Sequence, residues 1–249
     1  MRQDGRKNDE LRPIGFEAGI QRDPHGSVLV SFGATRVLTS VMVEEKAPPF
    51  LRGKGEGWLT AEYSMLPGCS KDRIPRDGAK GRPSGRSQEI SRLIGRALRA
   101  ALDRKKLGER TLLVDCDVIQ ADGGTRTASI TGGWVALALA LRRLREEGRL
   151  ESDPLVEQIA AVSVGLGGRT LLVDLDYPED STARVDLNLV GSASGGLVEI
   201  QGTAEQGVIQ PAELSRLVAA GRHALSRIFD AQQLAIAAAG RPSPARRRR

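Results

Sequence analysis

At 249 residues and 40% hydrophobic content, the chain can bury one large core or two small ones, and with aromatics at only 3% that core must rest on Val, Leu, Ile and Ala. The formal charge of +6 favours an anionic partner; the charged opening Met1–Lys7 leads into no apolar stretch, so it is not read as an ordinary signal peptide, and no apolar run approaches the roughly 20 residues that cross a bilayer. The two cysteines, Cys69 and Cys116, form no CxxC pair and have no histidine at ligand spacing, which speaks against zinc and disulfides and for reduced thiols in a cytoplasmic protein.

The first third reads as strands. Gly26 and Ser27 open a β-branched run to Phe32, Gly33 and Ala34 turn it, and Thr35–Val43 returns, which predicts a hairpin or meander ended by Ala47-Pro48-Pro49. Trp58–Leu66 alternates loosely and is read as a strand. Pro67–Gly85 is a loop rich in Gly, Pro, Lys and Arg, and a connection this long is usually functional or mobile. Ile90, Leu93, Ile94, Ala97 and Ala101 recur at helical spacing and predict a helix over Ser87–Lys106, stopped by Gly108. Thr111–Gln120 reads as a strand, Ala121–Gly124 as a turn, and Thr127–Glu147 as a second helix with Trp134, Leu137, Leu141 and Leu144 on one face. Strands are expected at Ile159–Leu166, Thr170–Leu175, Ala183–Val190 and Leu197–Gln201, and a last helix from Pro211 to Ala239. Residues 1–240 are thus expected to form one α+β domain of mixed sheets packed with helices, and residues 241–249 a basic, disordered tail.

Four features could carry chemistry. Lys71–Arg110 holds 13 Lys and Arg against 5 Asp and Glu, either a solvated helix face or a surface that gains by releasing nucleic-acid counterions. Gly123-Gly124-Thr125-Arg126-Thr127 lies between a strand and a helix N-terminus, where glycines admit an anion and unpaired amides meet it. Thr125 adds a hydroxyl and Arg126 a planar fork; the bland alternative is a plain strand-to-helix turn. Arg86 extends the stripe of Ile90, Leu93 and Ala97, an expensive place for a cation unless an anion or a structural ion pair meets it. Arg92, Arg96 and Arg99 form a separate stripe that fits solvent, a subunit contact or RNA equally well. Finally, Asp180 in a predicted loop and Asp186 in a predicted strand could converge on one site, where two carboxylates hold a divalent ion or one protonates a leaving oxygen; loop carboxylates are otherwise merely solvated. Asp115, Asp117 and Asp122 border the glycine turn and read as strand and turn residues.

The strings Cys116–Gly132, Gly85–Arg96, Asp176–Ser181 with Asp186, and Glu199–Glu205 together resemble the ribonuclease PH family of phosphate-dependent exoribonucleases. Asp4-Gly5-Arg6 and Gly26-Ser27 fit too, and the order holds from Arg2 to Leu234. The resemblance implies that Arg86, Gly124, Thr125 and Arg126 bind the attacking orthophosphate. It implies that Asp180 and Asp186 are catalytic acids that bind a divalent cation such as Mg²⁺ or donate a proton. Arg73 and Arg76 would grip tRNA, with Arg92 and Arg96 as further RNA contacts. It also implies a homohexameric ring of three dimers, trimming of 3′ extensions from tRNA precursors and other structured RNA such as rRNA with release of nucleoside diphosphates, and a reverse reaction. Two other functions compete: a non-catalytic RNA-binding subunit of an exosome-like ring, which would lack part of the phosphate and acid set, and a hydrolytic nuclease indifferent to phosphate. Gly133 departs from the Ala of many members, and Pro242–Arg249 lies outside the pattern.

Overall fold

The computed structural model describes residues 2–77 and 81–239; the expected tail over 241–249 lies outside them. The first sheet is formed by β1 (Ile14–Ala18), β2 (Gly26–Phe32), β3 (Thr35–Glu44), β4 (Trp58–Met65) and β5 (Thr111–Gln120), in the order β1-β2-β3-β5-β4. Only β4 and β5 run parallel, and the chain between them crosses over through α1 (Gly85–Arg99) and α2 (Arg104–Leu107), as a parallel pair requires. In β3, Val37, Thr39, Val41 and Val43 alternate inward at the strand period of two. The second sheet, ordered β7-β6-β8-β9, is antiparallel and built from β6 (Ile159–Gly167), β7 (Thr170–Val173), β8 (Val185–Ser192) and β9 (Leu197–Ala204).

Helix α3 (Thr125–Glu146) packs on β2 and β3 on one side and on β6 on the other. It is therefore buried nearly all round, and its small residues let the strands approach closely. A Cβ on Gly26 would sit 2.0 Å from the Ala136 carbonyl oxygen, and one on Gly132 2.5 Å from Val30. The last helix, α5 (Pro211–Ala239), covers β6 and β8. One continuous apolar core runs through both sheets, from Val28 and Leu112 to Leu189 and Ile228.

The structure corrects several boundaries: α3 starts at Thr125 rather than Thr127, and β9 runs on past Gln201 to Ala204. The helix expected over Ser87–Lys106 starts two residues earlier, because the Ser84 hydroxyl caps it by accepting from the Ser87 amide at 3.1 Å. It also breaks after Arg99. Asp103 and Val156 donate backbone bonds across to Pro154 and Ala101, and Leu102 bridges Leu155; Asp103 then caps the separate helix α2 through the Lys105 and Lys106 amides. Tertiary pairing here overrides a continuous helical pattern. Asp180, expected in a loop, ends a short helix, α4 (Tyr177–Asp180), capped by Asp176. Strand β1, with no fully buried residue and a glycine within it, has no counterpart in the expectations. Gly26→Ala should lower stability by about 3 kcal/mol or more, because overpacking against backbone cannot relax as it does against a flexible side chain. An unchanged denaturation midpoint would contradict this helix–strand contact.

Candidate active site

The site forms where the N-terminus of α3 meets the segment joining β7 to β8. Gly123 and Gly124 both adopt positive φ, +72° and +64°. Beyond this, a Cβ on Gly123 would lie 2.5 Å from the Leu175 carbonyl oxygen and 2.7 Å from the Asp176 carbonyl carbon. Only glycine lets the turn touch that backbone. Thr35 holds the turn from below: its hydroxyl donates to the Gly123 carbonyl at 2.7 Å and accepts from the Asp122 amide at 2.9 Å.

Arg12 ties the two sides together. Its Nε and Nη2 donate to the two carboxylate oxygens of Asp174 at 3.0 and 2.7 Å, while Nη1 donates to the Asp122 carbonyl. Asp174 itself takes a left-handed φ of +54°, held in place by the Arg12 backbone amide on its carboxylate at 2.8 Å. Arg2 and Arg6 add donors to the Asp174 carbonyl, and Arg2 grips Glu179 of α4 at 2.6 Å. The N-terminal Asp4-Gly5-Arg6 motif thus belongs to a clamp on the segment that carries Asp180.

The anion-binding elements gather beside this junction. The first backbone bond of α3 runs from the Ala128 amide to Gly124 at 3.0 Å, and no side chain caps the helix. The amides of Thr125, Arg126 and Thr127 therefore precede the helical ladder. Thr125 is buried, with its hydroxyl 2.8 Å from the Tyr63 phenol. Burial pushes the Tyr63 pKa up, against the pull of Thr125 and of the Arg86 and Arg126 charges. Arg126 is half-buried and donates to Gln201 at 2.6 Å. Arg86, expected to extend the core-facing stripe of Ile90, Leu93 and Ala97, is instead exposed in the first turn of α1, before that stripe is covered, and has no ion pair among the described residues.

Opposite stand the two acids. Asp186 on β8 is pushed up to about 6, first by burial and then by the charge of Asp180; Arg126 and Asn188 pull the other way. Its Oδ1 is buried without a hydrogen-bond partner. Burial raises Asp180 as well, opposed by Arg126 and Arg86. Asp180 thus feels the charges of Arg126 and Arg86, Asp186 those of Asp180 and Arg126, and Glu205 adds a further negative charge near both. A cleft of about 340 Å³ adjoins this centre, lined by Gln88, Glu89, Arg92, Arg96 and Gln201. Arg92 is exposed, and Arg96 is paired with Glu199 at 2.6 Å. Arg73 and Arg76 are exposed on the loop between β4 and α1. Sequence reasoning missed Arg12, Tyr63, Asp174 and Gln201: none sits in a spacing that betrays a role, although Gln201 lies within the Glu199–Glu205 string.

Two family models match the chain, the first domain of the 3′ exoribonuclease family over residues 10–142 and its second domain over residues 157–224. The chain belongs to this family. Ribonuclease PH of Bacillus pumilus (strain SAFR-032) is 50% identical over 234 residues, covering 94% of this chain and 97% of that protein. Ribonuclease PH of Bacillus subtilis (strain 168) is equally similar, covering 94% and 96%. Among solved structures, rice (Oryza sativa) Rrp46 superposes with a TM-score of 0.76 at 19% identity, covering 94% of this chain and 100% of that one. The Archaeoglobus fulgidus exosome with RNA bound to the active site superposes with a TM-score of 0.75 at 22% identity, covering 92% and 91%. These two confirm the α+β ribonuclease PH-like fold. Kinship at this level makes the chain an enzyme, a phosphorolytic 3′-to-5′ exoribonuclease of the ribonuclease PH type, and disfavours a non-catalytic ring subunit. No helix among the described residues is long and apolar enough to cross a membrane.

The raised pKa of Asp186 makes stability depend on pH. The folded chain binds this proton more tightly than the unfolded chain, so stability falls as pH rises from the ordinary carboxylate range through about 6. Asp186→Asn should therefore be more stable than the parent at pH 8, by up to roughly 2–3 kcal/mol, with the gain shrinking towards pH 4. A gain independent of pH, or none, would contradict the buried, repelled carboxylate.

Proposed function

We propose that this enzyme trims the 3′ ends of tRNA precursors, and of other structured RNA such as rRNA, with orthophosphate held by Arg86, Thr125, Arg126 and the backbone that follows Gly124, and with Asp180 and Asp186 acting on the departing 3′ oxygen. The observation that supports it most is the opposition, around one centre, of two guanidinium groups and an uncapped helix N-terminus to two carboxylates pushed towards protonation.

Phosphorolysis is an in-line displacement in which an anionic nucleophile attacks an anionic diester, so positioning and charge compensation dominate. Arg86, Arg126 and the first amides of α3 offset the charge of the phosphate as one of its oxygens bonds to the terminal phosphorus. The bond from that phosphorus to the 3′ oxygen of the preceding nucleotide breaks, and a nucleoside diphosphate leaves. The freed oxygen needs a proton or a cation. Asp186, held near pH 6, is partly protonated around neutrality and can donate. The same pair fits a divalent cation such as Mg²⁺: Asp186 offers a buried, unpartnered Oδ1 beside the charge of Asp180, and Mg²⁺ is commonly held by one or two carboxylates with water and substrate phosphate. Bound there, the cation would stabilise the developing charge on the 3′ oxygen. Asp180 and Asp186 are the residues that would hold it.

Arg73 and Arg76 on the long loop, and Arg92 and Arg96 along the cleft, are assigned to RNA phosphates upstream of the 3′ end. Residues 1–240 act as one catalytic unit in a cytoplasmic homohexamer of three dimers, an assembly supported by the motif set and by the fold shared with an exosome chain.

Incubated with a 3′-extended tRNA, the enzyme should release nucleoside diphosphates only when phosphate is added; monophosphates released without it would mark a hydrolase. Arg126→Ala should abolish this release while tRNA still binds, and undiminished turnover at saturating phosphate would remove Arg126 from the site. Alanine at both Arg73 and Arg76 should weaken tRNA binding and flatten the log K against log salt slope by about 2. An unchanged slope would take the loop off the RNA.

A further inference from the structure

Strand β9 reaches towards two arginines with side chains two residues apart, which places them on the same face of the strand. Glu199 takes Arg96 of α1 as a charged pair at 2.6 Å. Gln201 takes Arg126 of α3 as a neutral one: its Oε1 accepts from Arg126 Nη1 at 2.6 Å. The other end of that amide donates from Nε2 to the Glu89 carboxylate of α1, also at 2.6 Å. Glu89 cannot donate when ionised, so it accepts from the NH₂ of Gln201 and turns the amide oxygen towards Arg126. The flipped amide would present a donor to a guanidinium that only donates.

We propose that Gln201, with its amide orientation set by Glu89, is a positioning residue that holds the Arg126 guanidinium ready for phosphate without neutralising its charge. A carboxylate at this position would make a stronger bond to Arg126 but would compete with the phosphate for it. A shorter or apolar side chain would leave the long arginine stem free among rotamers, and the incoming anion would bear the cost of ordering it. The Gln201 amide fixes the geometry and leaves the full positive charge unspent.

This inference rests on the assignment of Arg126 to phosphate, so the experiment measures both. Phosphorolysis of a 3′-extended RNA by the full-length enzyme is followed across phosphate concentrations for Arg126→Ala, Gln201→Met, Gln201→Glu, Glu89→Gln and Glu89→Ala, together with RNA affinity and Tm. Gln201→Met keeps the volume and loses the amide; it should raise the KM for phosphate by up to about tenfold, the cost of ordering one long side chain on binding, with kcat, RNA affinity and Tm little changed. Gln201→Glu should raise that KM further by occupying Arg126. Glu89→Gln retains an acceptor and should stay near the parent, whereas Glu89→Ala should raise the KM several-fold through the released amide. A parental KM for phosphate in both Gln201→Met and Gln201→Glu, alongside an inactive Arg126→Ala, overturns the role of Gln201 and leaves the phosphate assignment standing. A fall in Tm with no change in that KM makes Gln201 merely structural and also overturns it. Parental phosphate dependence in Arg126→Ala would remove the phosphate assignment and this proposal together.

Discussion

The buried ion pair between Arg12 and Asp174 is the joint on which the site depends. The two residues are 4% and 1% exposed, and removing one partner from such a pair leaves an uncompensated charge, at a cost of roughly 3–5 kcal/mol. Both carboxylate oxygens and the third guanidinium nitrogen are used, so the pair has the geometry that makes burial tolerable. It links the segment before β1, the glycine turn after β5 and the chain leaving β7. The backbone contact of Gly123 with Leu175 and Asp176 follows from that link. Through it, an anion-binding helix start from one sheet and a carboxylate-bearing segment from the other face each other at a fixed separation.

The centre so assembled brings like charges together. Asp180 and Asp186 repel each other in a partly dry environment, and an Asp186 oxygen is buried with nothing to accept from. Arg86 has no ion pair among the described residues, and Arg126 is tethered by a neutral amide. Elsewhere the protein pairs its arginines freely, as with Arg96 and Glu199 or Arg149 and Glu45. The contrast fits a site whose missing charges arrive with substrate: phosphate for the arginines, and a proton or cation for the acids. Such sites retain strain that the rest of the fold must offset.

Much of this was legible in the sequence, for definable reasons. The β2–β3 hairpin, β4, β5, α3 and α5 follow from period-two and period-3.6 patterns and from glycine punctuation. The candidate site residues stood out because they occur in ordered strings, Gly85–Arg96, Cys116–Gly132 and Asp176–Asp186. The break between α1 and α2 was not legible: Leu102 and Asp103 continue an acceptable helix pattern, and only their bonds to residues 154–156 end it. The role of Arg12 was hidden likewise. An arginine before a proline near the N-terminus reads as surface, and its burial depends on an aspartate 162 residues away. Gln201 lay within a recognised string, but nothing local to β9 shows that it reaches Arg126 and Glu89.

The central claim is that orthophosphate is held between Arg86, Arg126 and the first amides of α3, facing Asp180 and Asp186. The most direct test is a crystal structure of the full-length enzyme soaked in phosphate at concentrations that support turnover. The account requires tetrahedral density within hydrogen-bond distance of both guanidinium groups and of the Thr125–Arg126 backbone. Guanidinium groups pointing to separate places with no anion between them, or an anion bound only elsewhere, would contradict it.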